Sequence, residues 1–173
     1  SPVLVEDQIV FETNGNTQIL YLEAYGQDVE KIQSKSRKTV VTDYVFTAVK
    51  PYLIYDTLQV TGDLLMNSGA RLYFHQGASL IAEGDVTISH SLCISDRLDN
   101  LFDSVPYAYS AGGWDGLYIH HKAGGPDEYS IDGLDLISAT NGIQIINDDS
   151  SSLSPVTCNL TNSRIHNQAG NGL

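Results

Sequence analysis

The sequence predicts an all-β solenoid, and three observations lead to that class. Asp115-Gly116-Leu117, Asp132-Gly133-Leu134, Asn141-Gly142-Ile143 and Asn171-Gly172-Leu173 repeat one pattern of polar residue, glycine and apolar residue. The first two turn the backbone and the third starts a short inward-facing strand, which makes the pattern a recurring corner of stacked coils. Gly116, Gly142 and Gly172 lie 26 and 30 residues apart, a spacing that suits a coil of short strands with variable loops, and Gly133 then marks another corner of the same coil. In the first half, Gly62, Gly69, Gly77 and Gly84 recur every seven or eight residues through Leu58-Gln59-Val60, Leu72-Tyr73-Phe74, Leu80-Ile81 and Val86-Thr87-Ile88. These runs are too short for helices, and their β-branched and aromatic residues favour strands. An antiparallel sandwich with glycine turns is the competing architecture for the same features.

The first element is a hairpin. Residues 8–12 and 17–24 alternate apolar with polar side chains around Asn14-Gly15, two residues that tolerate positive φ. Two strands alone do not make a stable unit, so they are expected either to pack on the first coil or to be the last strands of an upstream β-sandwich. Residues 27–38 are polar and read as a linker, which divides the chain into 1–38, hairpin plus linker, and 39–173, the solenoid. Alternation resumes over 39–49 and leads into Lys50-Pro51-Tyr52-Leu53-Ile54-Tyr55-Asp56. Within the strands, alternate residues share a face, so Leu72, Phe74, Val86, Ile88, Leu134, Leu136, Ile143 and Ile145 are expected to point inward. Asn171-Gly172-Leu173 reads as the start of another strand, and with no initiator methionine the chain is expected to be part of a longer protein.

The net charge is −12, and five of the nine basic residues follow Thr39, against fifteen of the 21 acidic ones. Nucleic acid is excluded as a partner on this ground, because neutralising phosphates needs clustered Lys and Arg. The same excess weakens the case for an acidic polysaccharide. Lys31, Lys35, Arg37 and Lys38 do cluster, but in a polar stretch without aromatics, and read as a solvated linker rather than a binding patch. No apolar run is long enough for a transmembrane segment. Cys93 and Cys158 lie in strand-like runs, and Cys158 alternates with Val156 and Leu160 as a core thiol would; two cysteines define no disulfide framework, so their pairing stays open.

The succession Lys50-Pro51-Tyr52-Leu53-Ile54-Tyr55-Asp56, Ala70-Arg71-Leu72-Tyr73-Phe74-His75, Asp96-Arg97-Leu98-Asp99, Val105-Pro106-Tyr107 and Gly113-Trp114-Asp115-Gly116-Leu117 resembles the right-handed parallel β-helix surface lipoproteins of Bacteroidetes, which have a pectate-lyase-like fold. The likeness covers about residues 40–173, and residues 9–28 resemble the closing hairpin of the β-sandwich domain that often precedes such helices. The resemblance implies a parallel β-helix and a place on the outer membrane surface or outside the cell. The family has no agreed activity, so it assigns no catalytic residue.

Trp114, the one tryptophan, sits directly before a glycine corner. An exposed indole there would suit the apolar face of a sugar; a buried one would close the loop 96–113 over the coil, which is the reading preferred here. Tyr107, Tyr109 and Phe102 in that loop share the ambiguity, so Trp114, Tyr107 and Tyr109 are the candidate binding residues. Asn147-Asp148-Asp149 and Arg164-Ile165-His166 echo the acidic and basic motifs of polygalacturonases, which use paired carboxylates with water between them. The Gly-His-Gly motif of that family is missing, and Asp148-Asp149 runs into Ser150-Ser151-Ser152, so a polar turn is expected instead. On a strand His120 and His121 point to opposite faces and cannot share an ion; His75, His90 and His166 have no metal spacing and read as surface residues. Asp132 and Asp135, if on one strand, would also face apart. Asp56-Thr57-Leu58 and Asp103-Ser104-Val105 match the short pattern at which Bacteroidetes attach O-glycans, a hint of export. No catalytic residue, metal or cofactor is assigned. The expected function is a non-enzymatic β-helical scaffold, adhesion or glycan-binding module of an exported bacterial surface protein, with glycans or other cell-surface components as partners; the alternative is a polysaccharide lyase or glycoside hydrolase.

Overall fold

The computed structural model describes residues 3–102, 104–148 and 155–173, with the Phe102 side chain also outside the description. The described chain is all-β, with parallel sheets. It begins with an antiparallel ribbon of β1 (Val3–Thr13) and β2 (Asn16–Gly26). Asn14 and Gly15 lie at φ 50 and 78, the left-handed pair that a two-residue hairpin turn needs to match strand twist. Every residue of the ribbon is exposed, so it buries no face on the strands that follow.

After the ribbon the chain visits three parallel sheets in rotation. It enters through β3 (Glu30–Ile32) and then makes three rounds. These are β4 (Lys38–Val41), β5 (Tyr44–Phe46) and β6 (Tyr52–Ile54), then β7 (Thr57–Val60), β8 (Leu64–Met66) and β9 (Arg71–Phe74), then β10 (Ser79–Ala82), β11 (Val86–Ser89) and β12 (Leu92–Ser95). A loop follows, holding the short antiparallel pair β13 (Asn100–Phe102) and β14 (Val105–Pro106) and a 3₁₀ turn, Tyr107–Tyr109. Two further rounds are β15 (Gly116–His121), β16 (Glu128–Asp132) and β17 (Asp135–Ile137), then β18 (Ile143–Asn147), β19 (Thr157–Thr161) and β20 (Arg164–His166). Each strand pairs in parallel with the strands one round before and after, giving sheet orders β4-β7-β10-β15-β18, β5-β8-β11-β16-β19 and β3-β6-β9-β12-β17-β20.

One hydrophobic cluster draws on all three sheets, because alternate residues of each short strand face the same side. Leu58 and Val60 from the first sheet, Leu64 and Met66 from the second, and Leu72 and Phe74 from the third are all sealed from solvent. Of the residues expected inside, Leu72, Phe74, Val86, Ile88, Leu134, Leu136 and Ile143 are buried. Ile145 is 39% exposed, although it pairs with the buried Ile119. Its direction is inward, but β18 is the edge strand of its sheet and has no strand beyond it to cover the side chain.

One sequence boundary and one conditional placement change. The expected linker 27–38 contains β3, which pairs with β6 through Glu30↔Tyr52, Lys31↔Leu53 and Ile32↔Ile54. Ile32 is its sole apolar residue packed on the core, too little to show as alternation in the sequence. Asp132 and Asp135 lie on different strands, the end of β16 and the start of β17, separated by the corner at Gly133 with φ 70. Cys93 is buried and Cys158 half-buried against the core, and both are free thiols; burial pushes the Cys93 thiol up to about 12.

Glycine is required where rounds meet at the corners. A side-chain carbon on Gly142 would strike the carbonyl of Gly172 one round later, and one on Gly116 would strike that of Asn141, with Gly116 also at φ 152. In the first half, Gly84 sits against the backbone of Gly62, so the closely spaced glycines mark successive corners of one round.

Leu136→Ala, at a site with no solvent exposure, should lower the unfolding free energy by about 2–5 kcal/mol. Gly142→Val should also destabilise, because backbone rather than a movable side chain blocks it. Denaturant titration measures both, and unchanged midpoints would contradict the packing described.

Candidate functional site

The candidate site lies at the corner that follows the third sheet. Tyr55, His75 and Asp96 are each the first residue after a strand of that sheet, namely β6, β9 and β12. Each backbone N–H donates to a carbonyl one round earlier: Tyr55 to Ile32 at 3.0 Å, His75 to Ile54 at 2.8 Å and Asp96 to Phe74 at 2.9 Å. Parallel pairing repeats the position from round to round, so the side chains stack in a column. The Tyr55 and His75 rings lie 4.6 Å apart at 22°. The Lys31 ammonium stands 4.3 Å from the centre of the Tyr55 ring, and the His75 Nδ1 and Asp96 Oδ2 are 2.7 Å apart. Lys31, Tyr55, His75 and Asp96 therefore form one continuous line of contacts across β3, β6, β9 and β12. With the carboxylate accepting from Nδ1–H, the imidazole Nε2 is left to face other groups, and the His75 side chain is 46% exposed.

Two clefts flank this column, and Tyr55 and His75 line both. One, of about 730 Å³, is bounded by the 33–37 segment and lined by Gln33, Lys35 and Arg37 together with Asp56 and Gln76. The other, of about 480 Å³, lies between the base of the ribbon at Glu23 and Tyr25 and the segment from Asp96 to Asp99. Arg97 is held there by two hydrogen bonds to the Asp99 carboxylate, at 2.8 and 2.6 Å, and lies over the Tyr107 ring at 3.9 Å. The hydrogen bond from Arg97 holds the Asp99 carboxyl below the usual carboxylate range, and the same bond raises the guanidinium.

The residues expected at the site are placed elsewhere. Trp114 is 1% exposed, stacks on Phe74 at 4.0 Å and 10°, and donates its indole N–H to the Ile137 carbonyl at 2.8 Å. Both its apolar face and its polar tip are used inside the protein, so it has no open face for a sugar. Tyr107 is half-buried beneath Arg97, and Tyr109, 46% exposed, lies parallel to the His166 ring at 6.4 Å. The three aromatics therefore make no common platform.

The acidic and basic motifs are also apart. Asp148 follows β18 of the first sheet and pairs with His120 at 2.7 Å, whereas Arg164 and His166 lie on β20 of the third sheet and both approach Asp135. Asp149, Ser150, Ser151 and Ser152 lie outside the described residues, as does Asp103. His120 faces outward and His121 is 2% exposed, on opposite faces of β15 as the alternation requires. His75 and His90 each approach one carboxylate, Asp96 and Asp132. Thr57 lies within β7, half-buried, with its hydroxyl 3.0 Å from that of Ser79, a poor position for a covalent glycan. On the outer face of the first sheet, Glu83 accepts from Gln59 and pairs with Lys122 at 2.9 Å. Burial raises its carboxyl, but these donors outweigh it and leave it below the usual glutamate range.

From the sequence, Tyr55 stands only within a motif, His75 reads as a surface residue without metal spacing, and residues 27–38 read as a linker. The signal that finds the column is the recurrence of Gln33, Tyr55, His75 and Asp96 at intervals of 20 to 22 residues, one round each. Compared with known proteins, the chain matches no family model, no curated protein and no solved structure at a significant level.

Trp114→Ala should cost about 3–5 kcal/mol by opening a cavity beside Phe74. The native indole should resist aqueous quenchers and become accessible only on unfolding. An unchanged denaturant midpoint, with strong native quenching, would return Trp114 to the surface.

Proposed function

We propose that the three sheets form a right-handed parallel β-helix and that the chain serves as a non-enzymatic glycan-binding module of an exported bacterial surface protein. The rotation of the chain through three parallel sheets around one core supports the first part, and parallel crossovers take the right-handed course. The order of motifs over residues 40–173, similar to Bacteroidetes surface lipoproteins, supports the location outside the cell.

The observation that carries the binding reading is the Tyr55–His75 column between two open clefts. Clefts of about 730 and 480 Å³ fall in the size range of ligand sites. Their polar side chains match the hydroxyls of an oligosaccharide. The stack and its carboxylate partner hold the phenol and the imidazole in fixed positions, so little rotamer freedom is lost on binding.

A second reading, a carbohydrate-active enzyme, is favoured by the His75–Asp96 pair. A carboxylate on Nδ1 leaves Nε2 as a proton acceptor beside a cleft. Against it, Asp148 and the Arg164–His166 motif lie on different sheets.

A glycan array run beside a reducing-sugar assay separates the two. Binding without release of reducing ends is expected, with no hydrolysis or β-elimination of pectate. Tyr55→Phe or His75→Ala should weaken binding by about tenfold or more, each removing a fixed polar contact. Turnover that disappears in His75→Ala would establish the enzyme instead.

A further inference from the structure

We infer that the cleft beside Tyr55 and His75 receives the anionic group of an acidic glycan, a carboxylate or a sulfate, on Lys35 and Arg37. This rests on the glycan-binding reading and names the ligand class of the same site. Of the nine basic residues, Lys50, Arg97, Lys122 and Arg164 are each paired with an acid, and Lys31 lies over the Tyr55 ring. Among the described residues no ion pair reaches Lys35, Arg37, Lys38 or Arg71, although acids outnumber bases by twelve.

Three of these four unpaired cations thus fall within four residues of sequence, and Lys35 and Arg37 line the 730 Å³ cleft together with the Tyr55–His75 stack. Asp56 also lines the cleft, so an entering anion is drawn to Lys35 and Arg37 and repelled by Asp56. A guanidinium fork and an ammonium suit both planar carboxylate and tetrahedral sulfate. The tyrosine and histidine supply fixed polar edges for the adjoining sugar. Net charge misleads here because it describes the field at long range, whereas the ligand contacts a local pair of cations within a Debye length.

The test is calorimetric titration of the whole chain with polygalacturonate, dextran sulfate and neutral dextran at low and moderate salt. Lys35→Gln with Arg37→Asn is the site variant; asparagine suits residue 37 because its φ is 59. Arg71→Gln, an unpaired exposed cation away from this cleft, controls for net charge. The inference expects an acidic polymer to bind with marked salt dependence, dextran to bind more weakly, the site variant to lose about tenfold or more, and the control to lose little. Both single variants should show part of the loss. Binding of polygalacturonate alone identifies the carboxylate, and of dextran sulfate alone the sulfate. If dextran binds as tightly as the acidic polymers, the charge inference falls while the glycan reading stands. If an acidic polymer binds and the site variants leave its affinity unchanged, the cleft is not the place. If no polymer or arrayed glycan binds, both readings fall.

Discussion

Each inner strand of the three sheets is hydrogen-bonded to the strands one round before and after it, and that ladder places residues about 20 to 30 apart in sequence, or about 40 across the long loop, directly over one another. Pairing in parallel fixes the register, and a slip by one residue would exchange the inward and outward rows of a strand. Inside, the result is rows of aliphatic side chains such as Leu58 over Leu80 and Leu117. At the corners it forces backbone against backbone, which is why Gly142 faces the Gly172 carbonyl and Gly84 faces Gly62. At the edge the same rule leaves Ile145 aimed inward but uncovered.

Outside, the ladder turns unlike residues into columns. Tyr55, His75 and Asp96 are far apart in sequence, yet phenol, imidazole and carboxylate meet in a line because each occupies an equivalent position on successive rounds; Lys31, two residues before the matching Gln33, reaches the Tyr55 ring from β3. Contacts of this kind recur: Gln59, Glu83 and Lys122 join across three strands of the first sheet, and Asp135 meets Arg164 and His166 one round later. The column beside the clefts differs in two respects. It combines an aromatic stack with an exposed imidazole, and its neighbouring segment carries Lys35 and Arg37, which among the described residues pair with no acid.

What could be read from the sequence was whatever depends on near neighbours. Asn14-Gly15 announces its hairpin because both residues accept positive φ, and the opposite faces of His120 and His121 follow from strand alternation alone. Trp114 was ambiguous because its burial is decided by Phe74, forty residues earlier. β3 was hidden because a three-residue strand with one half-buried isoleucine leaves no periodic trace. The column escaped for the same reason as Trp114: its members are 20 to 24 residues apart, and the glycine spacing of seven or eight residues concealed the length of a round. The cationic cluster of Lys31, Lys35, Arg37 and Lys38 was legible but read as a solvated linker, because the aromatic rings that line its cleft, Tyr55 and His75, come from later rounds.

The register of the third sheet is the claim on which the column and the clefts both stand. Leu53 and Tyr73 are outward-facing partners on β6 and β9, whereas Leu53 and Arg71 are displaced by two positions. With Cys93 and Cys158 replaced by serine, Leu53→Cys together with Tyr73→Cys brings two thiols onto adjacent strands within disulfide reach. The account predicts efficient cross-linking of that pair under mild oxidation and little for Leu53→Cys with Arg71→Cys; the reverse preference would contradict it.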